Sequence, residues 1–149
     1  MIFIAHRGNT SGPQPTFENT QAYMEEAYAQ GYGVEVDVQL WRGALYYGHD
    51  SPQDAVVEEF ITKPNVFCHA KTPETVAPLI AMGCHTFFHQ EDQLTITSNK
   101  KIWCYPGVFV RSSDAIWLDL QDIELPKEIP GIYGICGDRD SVMNRVKKK

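Results

Sequence analysis

The chain lacks long apolar runs. The first one spans residues 1–5 and is broken at once by His6 and Arg7. No segment approaches the roughly 20 apolar residues that a membrane span needs, and the opening does not have the form of a signal peptide. The sequence therefore predicts a protein with no membrane span.

Paired cysteines and an excess of positive charge are also missing. The net charge is −6, which argues against nucleic acid as a partner because phosphate backbones attract basic surfaces. The cysteines are widely spaced, without a CxxC pair, at Cys68, Cys84, Cys104 and Cys136. This spacing favours a reduced, cytoplasmic chain over a disulfide framework.

Short apolar runs separated by turn signals predict an α/β protein. Buried strands are predicted at residues 2–5, 34–40, 66–70, 86–88, 102–105, 116–118 and 132–136, with a hairpin arm at 45–47 and a weaker strand at 94–97. Helices are predicted from Asn19 or Thr20 to Gln30, from Pro73 to Met82, over 54–61 and over 141–148.

The order of these elements predicts a barrel. Strands alternate with helices in the first half, which is typical of parallel βαβ units, whereas short loops rich in proline and glycine separate the later strands. A full (β/α)₈ barrel takes about 250 residues, and this chain has 149. We therefore expect residues 1–149 to form one domain, a reduced TIM-type (β/α) barrel with few helices in its second half. An open α/β sheet that carries half a barrel is the alternative.

An acidic pair marks the second predicted strand. Glu35 and Asp37 are two residues apart and so project from the same face, while valines occupy the other face. A solvent-exposed sheet edge would explain this pattern without any function. In a barrel, however, two inward carboxylates need a cation or strong donors, and oxygen ligands suit Mg²⁺ or Ca²⁺.

Two histidines follow apolar runs beside glycines. His6 and His49 could serve as an acid–base pair on opposite sides of a phosphodiester, although lone histidines are more often structural. Arg7 could bind phosphate, because its planar guanidinium fits phosphate oxygens, or it could form a structural salt bridge at the mouth of the barrel. Asp50 either orients His49 or takes part in a turn.

Other polar and aromatic residues are secondary candidates. Glu18, Asn19 and Thr20 are expected to form the cap of the first helix whatever else they do. His89 follows the fourth strand at the end where barrel sites gather. Trp103 could form a wall for the alcohol part of a substrate, with core packing as the default.

The order of these motifs resembles the glycerophosphodiester phosphodiesterase family over about the first third of the chain. The matching pieces are HRG at residues 6–8, ENT at 18–20, ExDV at 35–38 and GHD at 48–50. The resemblance implies acid–base roles for His6 and His49, metal binding by Glu35 and Asp37, and phosphate contact by Arg7.

The third strand departs from that family's pattern. The resemblance places Lys71 where the family has a phosphate-facing lysine, but His69 stands where a metal-binding glutamate is usual. An imidazole ligand would shift the preferred metal from Mg²⁺ or Ca²⁺ towards Mn²⁺ or Zn²⁺. The other interpretation is a degraded site in which His69 only fills space.

The resemblance implies metal-dependent hydrolysis of a small glycerophosphodiester-type substrate. Two alternatives stay open: a non-catalytic relative that binds a phosphorylated ligand or a partner, and a lyase-type phosphodiesterase acting on a lipid headgroup. The sequence leaves the substrate's alcohol and the oligomeric state undetermined.

Overall fold

The computed structural model describes residues 1–141, so the helix predicted over 141–148 lies outside the described residues except for its first position. The strands are β1 (Ile2–His6), β2 (Gly33–Trp41), β3 (Ala44–Tyr47), β4 (Val66–Ala70), β5 (His85–Phe87), β6 (Leu94–Ile96), β7 (Ile102–Cys104), β8 (Ala115–Asp119) and β9 (Gly134–Gly137). The helices are α1 (Gln21–Ala29), α2 (Glu58–Ile61) and α3 (Pro73–Met82).

The strands form one curved, nearly closed sheet. Its order is β5-β4-β2-β1-β9-β8-β7-β6, and β3 pairs with β2 as an antiparallel hairpin arm. All pairings along this order are parallel except that of β6 with β7. The two ends of the sheet meet where the Ser98 amide donates to the Thr86 carbonyl at 2.8 Å. The architecture is thus an α/β barrel-like sheet with few helices.

The two faces of the sheet have separate cores. Because strand side chains alternate, every second residue points into the barrel. The buried interior residues are Ile4, Phe67, Phe87, Trp103, Ile116, Leu118 and Cys136. The valines of β2 point outwards and pack with α1, α2 and α3 around Met24, Phe60 and Leu79.

Loops replace helices on the outer face of the second half. Trp117 is fully buried there, and its indole N–H donates to the Val110 carbonyl at 2.8 Å. Phe109 packs edge-on against it, with ring centroids 5.1 Å apart. Irregular chain can therefore cover this part of the sheet, which explains how so short a chain forms a barrel-like sheet.

The predicted elements agree with the structure except at their ends and caps. The predicted helix over 54–61 is only Glu58–Ile61. Of the cap candidates, Thr20 holds the cap position, although it makes no side-chain cap bond. A cap role for Asn19 is wrong, because its side chain bonds Asp37 instead. The four cysteines are buried free thiols. Among residues 1–141, no helix is both long and apolar enough to cross a membrane.

Candidate metal centre and its cavity

The sheet register brings the candidate residues together at the carboxyl ends of the strands. His6 on β1 pairs with Glu35 on β2, and Asp37 on β2 pairs with His69 on β4. Parallel strands in register place equivalent residues side by side, so all four side chains face the barrel interior. The acidic and histidine side chains at this end of the barrel therefore come from three adjacent strands.

One cavity of about 310 Å³ opens at this mouth. Its polar side contains every primary candidate from the sequence: His6, Arg7, Glu35, Asp37, His49, His69 and Lys71. The second-tier candidates His89 and Trp103 also line it. Apart from the histidines, these polar groups are two carboxylates and two cations, so a bound divalent cation would leave the cavity positive and suited to an anion.

Glu35, Asp37 and His69 could hold a metal ion. Each offers one ligand atom, and these atoms lie within 4.8 Å of one another. Glu35 and Asp37 are only 2% and 1% exposed. Within residues 1–141, nothing donates a hydrogen bond to Glu35 Oε2 or Asp37 Oδ1, although both are buried. Buried carboxylate oxygens without donors are costly unless positive charge compensates them. Lys71 and His69 supply part of that charge near Asp37 Oδ1, and a cation between the three ligand atoms would supply it to both carboxylates, so the donor set fits a metal.

Asp37 is held by an amide and surrounded by positive charge. Asn19 donates from Nδ2 to Asp37 Oδ2 at 3.0 Å and accepts from the Asp37 backbone N–H at 3.1 Å. Arg7 Nε lies 2.8 Å from Oδ2, and Lys71 Nζ lies 3.5 Å from Oδ1. Burial works against ionisation, but His69, Lys71 and Arg7 outweigh it and hold the pKa of Asp37 well below its usual range.

His69 faces both carboxylates with one nitrogen. Its Nδ1 lies 3.4 Å from Asp37 Oδ1 and 3.6 Å from Glu35 Oε1. Its ring stacks between those of Phe87 and His89, with centroids 4.7 Å away on each side. Burial lowers the pKa of His69, but the two carboxylates outweigh that effect and raise it overall. A metal bound here would displace a proton from this imidazole.

His6 has an acidic partner that the sequence reasoning missed. Its Nδ1 lies 2.7 Å from Oδ1 of Asp138, and its Nε2 lies 3.7 Å from Oε2 of Glu35. Burial opposes charge on the imidazole, but Asp138 and Glu35 together raise the pKa of His6. Asp138 directly follows β9 and stands two residues beyond the inward-facing Cys136, so strand alternation could have identified it.

Arg7 is fixed by its backbone as well as by its ion pairs. Its φ is 54°, in the left-handed region, and its N–H donates to the Glu35 carbonyl at 2.9 Å. Its Nη1 lies 3.5 Å from Glu18 Oε1. Glu18 therefore contacts the site through Arg7, while Asn19 contacts it through Asp37.

His49 stands at the rim. It is 43% exposed, and its Nδ1 lies 2.7 Å from Oδ1 of the exposed Asp50. Gly48 precedes it with φ 145°, and a Cβ there would collide with the Ser51 carbonyl, so this turn requires glycine. Asp50 contacts His49, as one of its two predicted roles requires, but does not line the cavity.

The opposite side of the cavity is aromatic and apolar. Trp103 is almost fully buried and stacks on Phe87, with centroids 4.2 Å apart. Tyr105 is 42% exposed and meets His89 edge-on, with centroids 6.2 Å apart. Burial is the main cause that lowers the pKa of His89. Leu118 and Leu120 complete this wall.

Comparisons of the chain with known protein families, with curated proteins and with solved structures give no match. The fold and the site by themselves define an α/β protein with a barrel-like sheet. A Glu-Asp-His group that could hold a metal ion lies at the carboxyl ends of its strands.

Proposed function

We propose that the protein is a metal-dependent phosphodiesterase of the glycerophosphodiester type. The observation that carries this proposal is the single cavity that combines the possible metal group, two cationic side chains and two histidines. Phosphodiester hydrolysis needs charge neutralisation of the phosphate and a proton transfer at each end of the reaction. Each need has a matching group in this cavity.

Arg7 and Lys71 would hold the phosphate oxygens. Both lie close to Asp37, so their positive charge is concentrated beside the metal group. The guanidinium, whose Nε already faces Asp37, would offer its remaining N–H donors to the phosphate, and the ammonium would act as a point charge. A divalent cation held by Glu35, Asp37 and His69 would supply Lewis-acid neutralisation of the phosphate.

His6 and His49 would move the protons. One of them accepts the proton of the attacking hydroxyl, which belongs to water or to a neighbouring hydroxyl of the substrate. As the new P–O bond forms and the bond to the leaving alcohol breaks, the other histidine gives its proton to the departing oxygen. With water the products are a phosphomonoester and an alcohol, whereas an internal hydroxyl first gives a cyclic phosphate.

The aromatic wall would contact the alcohol part of the substrate. Tyr105, Leu118 and Leu120 line the cavity away from the charged side, and Tyr105 is exposed enough to meet a ligand. Trp103 supports this wall from behind, through its stack on Phe87. We expect Tyr105→Ala to raise KM more than it lowers kcat.

We also infer that the barrel-like sheet is a reduced TIM-type barrel. The parallel pairing, the inward core and a site at the carboxyl ends of the strands support this inference. Because His69 supplies nitrogen, we propose Mn²⁺ or Zn²⁺ as the better-fitting metal, with Mg²⁺ or Ca²⁺ as the alternative from the family resemblance.

The decisive assay measures turnover of a simple glycerophosphodiester. Purified protein is given Mg²⁺, Mn²⁺, Ca²⁺ or Zn²⁺ in turn, beside His6→Ala and His49→Ala variants and a His85→Ala control. His85 lies outside the cavity, so its variant should retain activity. Turnover that requires a metal and both histidines supports the proposal. A wild-type rate no higher than that of the two histidine variants with every metal refutes it.

A phosphate-binding protein without catalysis is the second candidate. It is favoured by the stacking of His69 between Phe87 and His89, which would hold this imidazole in place without a metal. In that case, the glycerophosphodiester would bind and stay intact, and Arg7→Ala or Lys71→Ala would abolish the binding.

A further inference from the structure

We propose that Asp138 is a positioning residue that holds the His6 ring so that the lone pair of His6 Nε2 faces the cavity. The expected effect of Asp138 on turnover rests on the proposed phosphodiesterase function. Asp138 lies directly after β9, the strand that pairs with β1. It is thus anchored by an element of the chain remote in sequence from the other site residues.

The contact between the two residues is short and well defined. Asp138 Oδ1 lies 2.7 Å from His6 Nδ1. The same oxygen accepts a hydrogen bond from Asn9 Nδ2 at 2.8 Å, and Tyr23 donates to Asn9 Oδ1 at 3.0 Å. Asn9 is fully buried, so the orientation of the carboxylate is set by a chain of hydrogen bonds that begins on α1.

A carboxylate can only accept, so the proton shared by this pair resides on His6 Nδ1. Neutral His6 must then carry its lone pair on Nε2, which lies towards Glu35. This tautomer is the less common one for a free imidazole. Either direction of proton transfer uses Nε2, and therefore the tautomer and the ring orientation both depend on Asp138.

The second histidine shows the same arrangement with less support. Asp50 Oδ1 lies 2.7 Å from His49 Nδ1, but Asp50 is 94% exposed. Asp138 is only 25% exposed. The part-buried pair at His6 therefore constrains its histidine more strongly than the rim pair constrains His49.

Turnover and metal binding are measured for the wild type and for three variants: Asp138→Ala, Asp138→Asn and Asp119→Asn. Asp119→Asn is the control, because Asp119 is an acidic residue at the end of the neighbouring strand β8 and lies outside the cavity. We expect Asp138→Ala to lower kcat by about 10- to 100-fold, while KM and the metal Kd change by less than about twofold. Asp138→Asn, which keeps an acceptor, should recover part of kcat, and Asp119→Asn should match wild type. An unchanged kcat in Asp138→Ala overturns the proposal.

Nitrogen NMR of the wild-type histidines gives a second readout that needs neither turnover nor a variant. Neutral His6 should be protonated at Nδ1 in the metal-free protein. A His6 protonated at Nε2 overturns the positioning role even if the protein is an enzyme. Protonation at Nδ1 in a protein without turnover would uphold the positioning of His6 and reject the phosphodiesterase.

Discussion

Asn19→Ala tests how the metal group is organised. Asn19 is 2% exposed and makes both a donor and an acceptor contact with Asp37. Its loss leaves the buried Asp37 N–H unpaired, at a cost of about 1–3 kcal/mol, and removes a donor to an ionised carboxylate, worth about 1.5–3 kcal/mol. Asn19 also has φ 60°, where alanine is less favourable by about 1 kcal/mol.

These costs are not fully additive, so we expect Asn19→Ala to lower the free energy of unfolding by about 3–5 kcal/mol. A protein of this size loses about 2–4 °C of Tm per kcal/mol, which predicts a drop of about 6–20 °C. Metal affinity should fall by about 10- to 100-fold, because Asp37 loses the group that orients it.

Thermal unfolding and metal titration of Asn19→Ala and Asn19→Gly measure both effects. Glycine tolerates the left-handed backbone, so the difference between the two variants isolates the cost of φ. A Tm within about 2 °C of wild type in both variants would refute the reasoning, because the hydrogen bonds to Asp37 would then contribute nothing.

Three further predictions concern the ligands and the charges around them. His69→Ala should weaken Mn²⁺ or Zn²⁺ binding at least about 10-fold. In metal titrations, His69→Glu should shift the preferred metal towards Mg²⁺ or Ca²⁺. Unchanged metal affinities in both variants would show that His69 is not a ligand. Lys71→Met should raise KM for the phosphodiester without weakening metal binding, since Lys71 competes for Asp37 Oδ1; an unchanged KM would contradict its phosphate role. The raised pKa of His69 means that the charged imidazole stabilises the metal-free fold below its ordinary pKa of about 6.5 and that this stabilisation is lost as pH rises through the raised value. Metal affinity should accordingly increase between about pH 6 and about pH 8 in calorimetric titrations, and the increase should be smaller in His69→Gln.

Much of the fold could be predicted because it depends on local patterns. The alternation of valine with Glu35 and Asp37 fixes which face of β2 turns inwards, and Pro73 and Gly83 bound α3 as the sequence indicates. The near closure of the sheet depends on a contact between Thr86 and Ser98. No local pattern in the sequence reveals that contact.

The sequence predicted which residues belong to the site better than it predicted the contacts between them. All seven primary candidates line one cavity, because the register of β1, β2 and β4 brings them to the same end of the sheet. The partners of Asn19 and His6 could not be assigned, because Asp37 and Asp138 approach them only through tertiary packing. In the sequence, Asn19 also has the position and residue type of an ordinary helix cap. In the structure, its side chain makes buried hydrogen bonds with Asp37 instead of capping α1.

The most direct measurement of the central claim is anomalous diffraction from crystals grown with Mn²⁺. We expect a peak within bonding distance of Glu35, Asp37 and His69, and the loss of that peak in Asp37→Asn. A well-diffracting crystal with no peak at this group, or with a peak held by other residues, would contradict it.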